Sequence, residues 1–338
     1  MVQYTHHTMN NNSATPLKFL FVAVLFLGAL WGGGVGALRT PASSLSRVAA
    51  SVPDVISSTL AVTSGPVSDV VSEGMTTESA VLELPPEVGA AVVAIEELTN
   101  GERVVSKDAF MRRPIASLTK LMTAVVAQEY FSPDKEITFT DAAIAQEGAA
   151  GGFAKDERFS AHDLIAAALA VSSNDAAYAL AGTRSESAAD PNPHTISEST
   201  NVEGFVNAMN EKAHMLGMSE THFEDATGLS PLNQSTAEDL SRLARYLWAY
   251  QPSLLKRTAA PSIAIREHTS GGRRILKNIN FFAGRDEFLG GKTGFIDESS
   301  GNLVSVWQHE NKVYLIIVLG TEDRFGDTER LWWWITAP

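Results

Sequence analysis

The chain has no cysteine, so covalent acyl transfer would need a hydroxyl nucleophile and a base to take its proton. Ser117-Leu118-Thr119-Lys120 carries both. Residues i and i+3 share one helix face, so the Lys120 amine reaches the Ser117 hydroxyl. A helix N-terminus adds free N–H groups and partial positive charge beside such a nucleophile. A lysine acts as a base near neutral pH only where burial or another cation lowers its pKa. The pattern alone is weak, because Ser132/Lys135 and Ser253/Lys256 repeat it. The first of these repeats encloses Pro133 and the second has no companion motif, so both read as solvated side chains.

Two companions single out Ser117. Ser172-Ser173-Asn174 follows an Ala/Leu-rich stretch, and Lys292-Thr293-Gly294 comes later, just ahead of a terminal pair of apolar segments. A Ser hydroxyl relays a proton and an Asn amide holds a substrate amide. A Lys-Thr pair binds a carboxylate, and a Gly lets substrate lie against a strand edge. Structural readings exist for each: a helix N-cap at 172–174 and a turn over Gly290-Gly291 to Gly294. They do not account for all three motifs in this order.

The elements that must hold these groups follow from periodicity. Val88 to Ile95 is a continuous apolar run of strand length, Asn100-Gly101 a turn, and Arg103 to Ser106 a returning strand. Leu118, Leu121, Met122, Val125 and Val126 recur at helical spacing. More helices are expected at about 161–171, 175–182, 203–216 and 236–250, with Thr183 to Val202 as a surface loop. Asn302–Gln308 and Val313–Leu319 form a hairpin, then a helix over about 326–335 uses Trp332, Trp333 and Trp334 for packing. Strands, then helices, then strands predict an α+β fold whose antiparallel sheet is built from both chain ends.

Phe19 to Leu38 is uncharged and flanked by Lys18 and Arg39. As a helix it is about 30 Å long, enough to span a bilayer core. Residues 16–38 are expected to be a membrane anchor, with a cleaved signal peptide as the rival on the small residues Val35-Gly36-Ala37. Residues 1–15 then form a short tail, 39–83 a Ser/Thr-rich stalk and 84–338 a globular domain held at or carried across a membrane, with Lys/Arg counts too even to fix the orientation. With 26 Lys+Arg against 39 Asp+Glu, the net charge of −13 leaves no basic excess for nucleic acid. The eight His form no H-E-x-x-H pattern, and no phosphate-cradling glycine loop occurs, so no metal and no cofactor are expected.

Pro114 to Ala124, Ser172 to Ala177, Phe205 to Thr221 and Gly291 to Phe295 closely resemble segments of peptidase family S11, the D-alanyl-D-alanine carboxypeptidases. The resemblance runs from about Leu84 to Ile335. It implies a β-lactamase/transpeptidase-like fold, with an antiparallel sheet flanked by helices and an all-helical lobe. It also implies removal of the terminal D-alanine from peptidoglycan stem peptides ending in D-Ala-D-Ala, with β-lactams as covalent inhibitors. Ser117 would be the acylated nucleophile, Lys120 its base and Ser172 the shuttle to the leaving group. Asn174 would position the peptide, while Lys292 and Thr293 would bind its terminal carboxylate beside Gly294. The N–H groups of Ser117 and Phe295 would form the oxyanion hole, and Arg324 resembles a family arginine that contacts the carboxylate. A DD-endopeptidase, a β-lactamase and a non-turnover penicillin sensor are the alternatives. Two departures stand out: Ser173 where many members have Gly, and Asp225 where Asn is common. Many relatives continue into a small β domain and an amphipathic helix, for which an N-terminal anchor would substitute.

Overall fold

Alternate residues of the first strand, β1 (Val92–Glu97), enter two different cores, which explains why its first four residues are all apolar rather than alternating. Val92 and Ala94 face a core shared with the helical lobe, and Val93 and Ile95 face a second core on the opposite side. The computed structural model describes residues 85, 87–148, 150–183 and 198–337. The expected tail, anchor and stalk lie outside them, as do 184–197 of the expected surface loop. No helix among the described residues is long and apolar enough to cross a membrane.

After β1 come β2 (Glu102–Lys107), β3 (Arg113–Pro114), a 3-10 turn over Ala116–Thr119 and α1 (Lys120–Tyr130). The lobe continues with β4 (Glu136–Thr138), α2 (Asp141–Ile144), β5 (Arg158–Ser160), α3 (Ala161–Ala170), α4 (Asn174–Gly182) and α5 (Glu198–Met215). Then follow β6 (Gln234–Ser235), α6 (Ala237–Tyr250), α7 (Pro252–Ala259), β7 (Ser262–Arg266) and β8 (Arg273–Lys277). The chain closes with β9 (Phe288–Ile296), β10 (Ser300–His309), β11 (Lys312–Thr321) and α8 (Arg324–Thr336). The main sheet is antiparallel with the order β2-β1-β11-β10-β9, so both chain ends build it and β9 is an edge.

Local signals place the helices that matter. Ser160, Ser173 and Thr236 cap α3, α4 and α6, their hydroxyls accepting from Asp163, Ala176 and Asp239 N–H groups at 3.1, 3.1 and 3.0 Å. α8 lays Leu331 and Trp332 on the second core, where Trp332 stacks on Trp307 at 5.0 Å, while Trp333 points outward. Three boundaries differ from the sequence reading. β1 starts at Val92, four residues after the apolar run begins, because Val88 to Ala90 lead into the strand without pairing. α5 starts at Glu198, inside the expected loop, since its first turns are polar and carry no apolar period. The Gly290-Gly291 to Gly294 stretch is no turn but lies within β9.

Candidate active site

Ser117 sits in the 3-10 turn that leads into α1, and two hydrogen bonds fix the backbone before it. Ile115 N–H donates to the Asn233 carbonyl at 3.0 Å, and Asn302 Nδ2 donates to the Pro114 carbonyl at 3.2 Å. Ala116 is held at φ +50°, a left-handed conformation that alanine adopts at a cost. Two glycines make this approach feasible. A Cβ on Gly228, itself at φ +83°, would lie 2.1 Å from the Ala116 carbonyl oxygen. One on Gly294 would lie 2.8 Å from the Ile115 oxygen and 3.2 Å from Ser117 N. The segment that carries Ser117 is therefore clamped between the 225–233 loop and the open edge of β9.

Lys120, on the first turn of α1, is fully buried. Its Nζ donates to Asn174 Oδ1 at 2.6 Å and the Thr227 carbonyl at 2.5 Å, and shares a 2.9 Å hydrogen bond with the Ser117 hydroxyl. Asn174 Nδ2 donates to the Glu147 carbonyl at 2.6 Å, which fixes which end of the amide faces the lysine. Burial lowers the Lys120 pKa to about 7, against the opposing pull of the Asp225 charge. Lys292, in the middle of β9, is buried too, and its Nζ donates to Ser172 Oγ and the Thr293 carbonyl, both at 2.8 Å. Its pKa falls well below the usual lysine range, first through burial and then through the Lys120 and Arg324 charges. Two Ser–Lys pairs, each with a buried lysine, thus meet beside the middle of β9, and their ammonium groups repel.

A match to the family model described as D-alanyl-D-alanine carboxypeptidase covers residues 79–323. The chain belongs to peptidase family S11. A D-alanyl-D-alanine endopeptidase of Haemophilus influenzae is 35% identical over 206 residues, covering 59% of this chain and 64% of that protein. A D-alanyl-D-alanine carboxypeptidase of Bacillus subtilis is 29% identical over 248 residues, covering 70% of this chain and 58% of that one. The chain thus spans less than two thirds of either relative. Penicillin-binding protein D2 of Listeria monocytogenes, solved with ampicillin bound, superposes with a TM-score of 0.60 at 29% identity, over 73% of this chain and 98% of that one. The family membership and the fold expected for it, an antiparallel sheet with flanking helices and a helical lobe, are both seen.

Within this S11 domain, Ser117, Lys120, Ser172, Asn174 and Lys292 form one hydrogen-bonded and charge-coupled set. Ser172 holds φ +57°, so strain accumulates at both serines' approaches. Asn174 has its oxygen on Lys120 and its nitrogen on the Glu147 carbonyl, so both ends of its amide are engaged within the protein. Thr293 and Gly294 lie buried along the β9 edge, and Phe295 is exposed beyond them. Arg324 begins α8 half-buried, packed against Gly301 and over the Phe325 ring at 4.9 Å. Its Nε is buried with no hydrogen-bond partner, and its charge reaches Lys292. Among the described residues no cluster of potential metal ligands occurs. Ser253 and Lys256 are exposed on α7, away from this set, as the solvated reading expects. Sequence reasoning missed the Thr227 carbonyl, Gly228 and the function of Asp225. The first two act through the backbone, and only the break in family pattern at Asp225 pointed to that loop.

Proposed function

We propose that this S11 member is a serine D-Ala-D-Ala carboxypeptidase in which Ser117 carries the acyl group. One observation bears most of the weight: the buried Lys120 amine has three partners, and only one can donate a proton. Asn174 Oδ1 and the Thr227 carbonyl are acceptors, so they must take the two N–H bonds of a neutral amine. The lone pair then faces the Ser117 hydroxyl, as a general base requires.

In the first step Ser117 Oγ attacks the carbonyl carbon of the penultimate D-alanine as its proton passes to Lys120 Nζ. The oxyanion would be received by the N–H groups of Ser117 and Phe295, on the segments that Gly294 lets touch. Collapse breaks the C–N bond, and the departing amine takes a proton through Ser172. Lys292, Thr293 and Arg324 would hold the terminal carboxylate, which suits a buried Lys292 ammonium and an unpartnered Arg324 Nε. Water then hydrolyses the ester.

The endopeptidase name of the Haemophilus relative favours a second reading, cleavage of a cross-link whose leaving group is larger than D-alanine. Turnover of a stem pentapeptide and of a cross-linked dimer, assayed side by side, separates the two. A carboxypeptidase is expected to process the pentapeptide at least tenfold faster, and the reverse ranking would transfer the assignment to the second reading.

The domain is further proposed to be tethered through Phe19–Leu38, outside a bacterial membrane, on the uncharged length of that segment. The full-length protein should then sediment with membranes and resist extraction by high salt. Quantitative recovery in the soluble fraction, with the mass of a chain cut near Ala37, would establish cleavage instead.

A further inference from the structure

Asp225 was noted in the sequence only as a departure from a common Asn. In the structure its carboxylate is the hub of the 225–233 loop. Oδ1 accepts from Thr227 N–H at 2.6 Å, Thr227 Oγ1 at 2.7 Å and Gly228 N–H at 2.6 Å. Oδ2 accepts from Ser230 N–H at 2.7 Å and Asn233 Nδ2 at 2.9 Å. Five donors on two oxygens hold a carboxylate, not a carboxamide, whose nitrogen would meet donors on that side. They keep its pKa below the usual range although burial pushes the other way. With both oxygens engaged, the group is unsuited to activating a water. What it holds is the site: Thr227 presents its carbonyl to Lys120, Gly228 packs on Ala116, and Asn233 receives Ile115 N–H.

We propose that Asp225 is a positioning residue for the Ser117–Lys120 pair, fixing the loop that abuts both and supplying, among the described residues, the one negative charge that acts on Lys120. The groups around that amine are otherwise neutral or positive. The 3-10 turn offers Ser117, α4 offers Asn174, β9 offers Lys292, and Arg324 on α8 stands behind Lys292. His222 and Glu224, flanking the loop, are exposed and face each other at 3.3 Å. Against two cations, one carboxylate steadies the ammonium form, so it decides where on the pH axis the base becomes available. The inference rests on the proposed role of Lys120 as base.

The test is the rate of penicillin adduct formation from pH 5 to 9, followed by intact mass, for wild type, Asp225→Asn and Asp225→Glu. Removing the charge lowers the Lys120 pKa, so the acid limb of D225N is expected to move down by about one pH unit. Its plateau should fall about tenfold as the loop loosens. D225E, which keeps the charge, should return the limb to the wild-type position even if its plateau stays low. A purely structural residue would change the plateau and leave the limb where it was, and that result in folded D225N overturns the proposal. Asp225→Ser serves as a second charge-free variant if D225N does not fold. Failure of both to fold would make Asp225 a folding residue and equally overturn the assignment. A wild type that takes up no penicillin would instead refute the proposed function, so the two failures are distinguishable.

Discussion

Ser117→Ala is expected to give a folded protein that gains no mass in penicillin, where wild type gains one equivalent. The side chain removed is small and half-buried, and its one hydrogen bond among those described is to Lys120. The segment around it is held by Asn233, Asn302, Gly228 and Gly294, none of which depends on the hydroxyl. Folding should therefore survive, with a Tm within a few degrees of wild type. Peptide turnover should fall by roughly 10³-fold or more, as when a covalent nucleophile is deleted from an otherwise intact site. Adduct formation by S117A at the wild-type rate would place the nucleophile elsewhere and leave the two Ser–Lys pairs without a chemical role.

The second large effect belongs to Lys120. Its pKa of about 7 means that acylation should rise tenfold per pH unit up to about pH 7 and then level off. Lys120→Met keeps the bulk but removes the base, and should lower the plateau by roughly 10²–10⁴-fold and erase that limb. Stability carries the same signature with a definite sign. The folded-state pKa lies below the unfolded value of 10.5, so between about pH 7 and 10.5 the unfolded chain binds a proton that the native protein does not. The contribution of Lys120 to native stability therefore increases as pH rises through that window, and it is least favourable below pH 7. Urea unfolding of wild type and K120M at pH 7 and 9 should show the wild type gaining relative to the variant. A wild-type acylation profile flat from pH 5 to 9 would contradict a lysine base.

The three site motifs are legible because they are contiguous side-chain patterns, and because a run such as Leu118 to Val126 declares its helix by spacing. Helices α3, α4 and α6 were equally plain, each with a Ser or Thr cap and an Ala- or Leu-rich face. β9 was not. Its Gly290, Gly291 and Gly294 lower strand propensity, and they are present for contacts that appear only after folding: a Cβ on Gly291 would lie 2.3 Å from the Val304 carbonyl oxygen. The same reason hid the 225–233 loop. A backbone carbonyl that meets an amine across the fold leaves no trace in residue type, and three of the five donors to Asp225 are backbone N–H groups that every residue but proline has. The start of α5 was lost because Glu198 to Val202 is helical without an apolar period.

The sheet order carries a consequence for how the enzyme comes into being. β1 pairs with β2 and β11, so the first two strands made must wait for the last one before the sheet can close. Until then they form at most a two-stranded ribbon, which is marginal in water. The helical lobe is built largely from nearer neighbours and can consolidate during that interval, whereas joining strands this far apart along the chain is slow. Lys292 travels with β9, so a growing chain holds Ser117 and Lys120 long before it holds the second ammonium and the edge that would receive a peptide. Biosynthesis thus completes the Ser117 site last, and a prematurely terminated chain should take up no penicillin even though its first motif is intact.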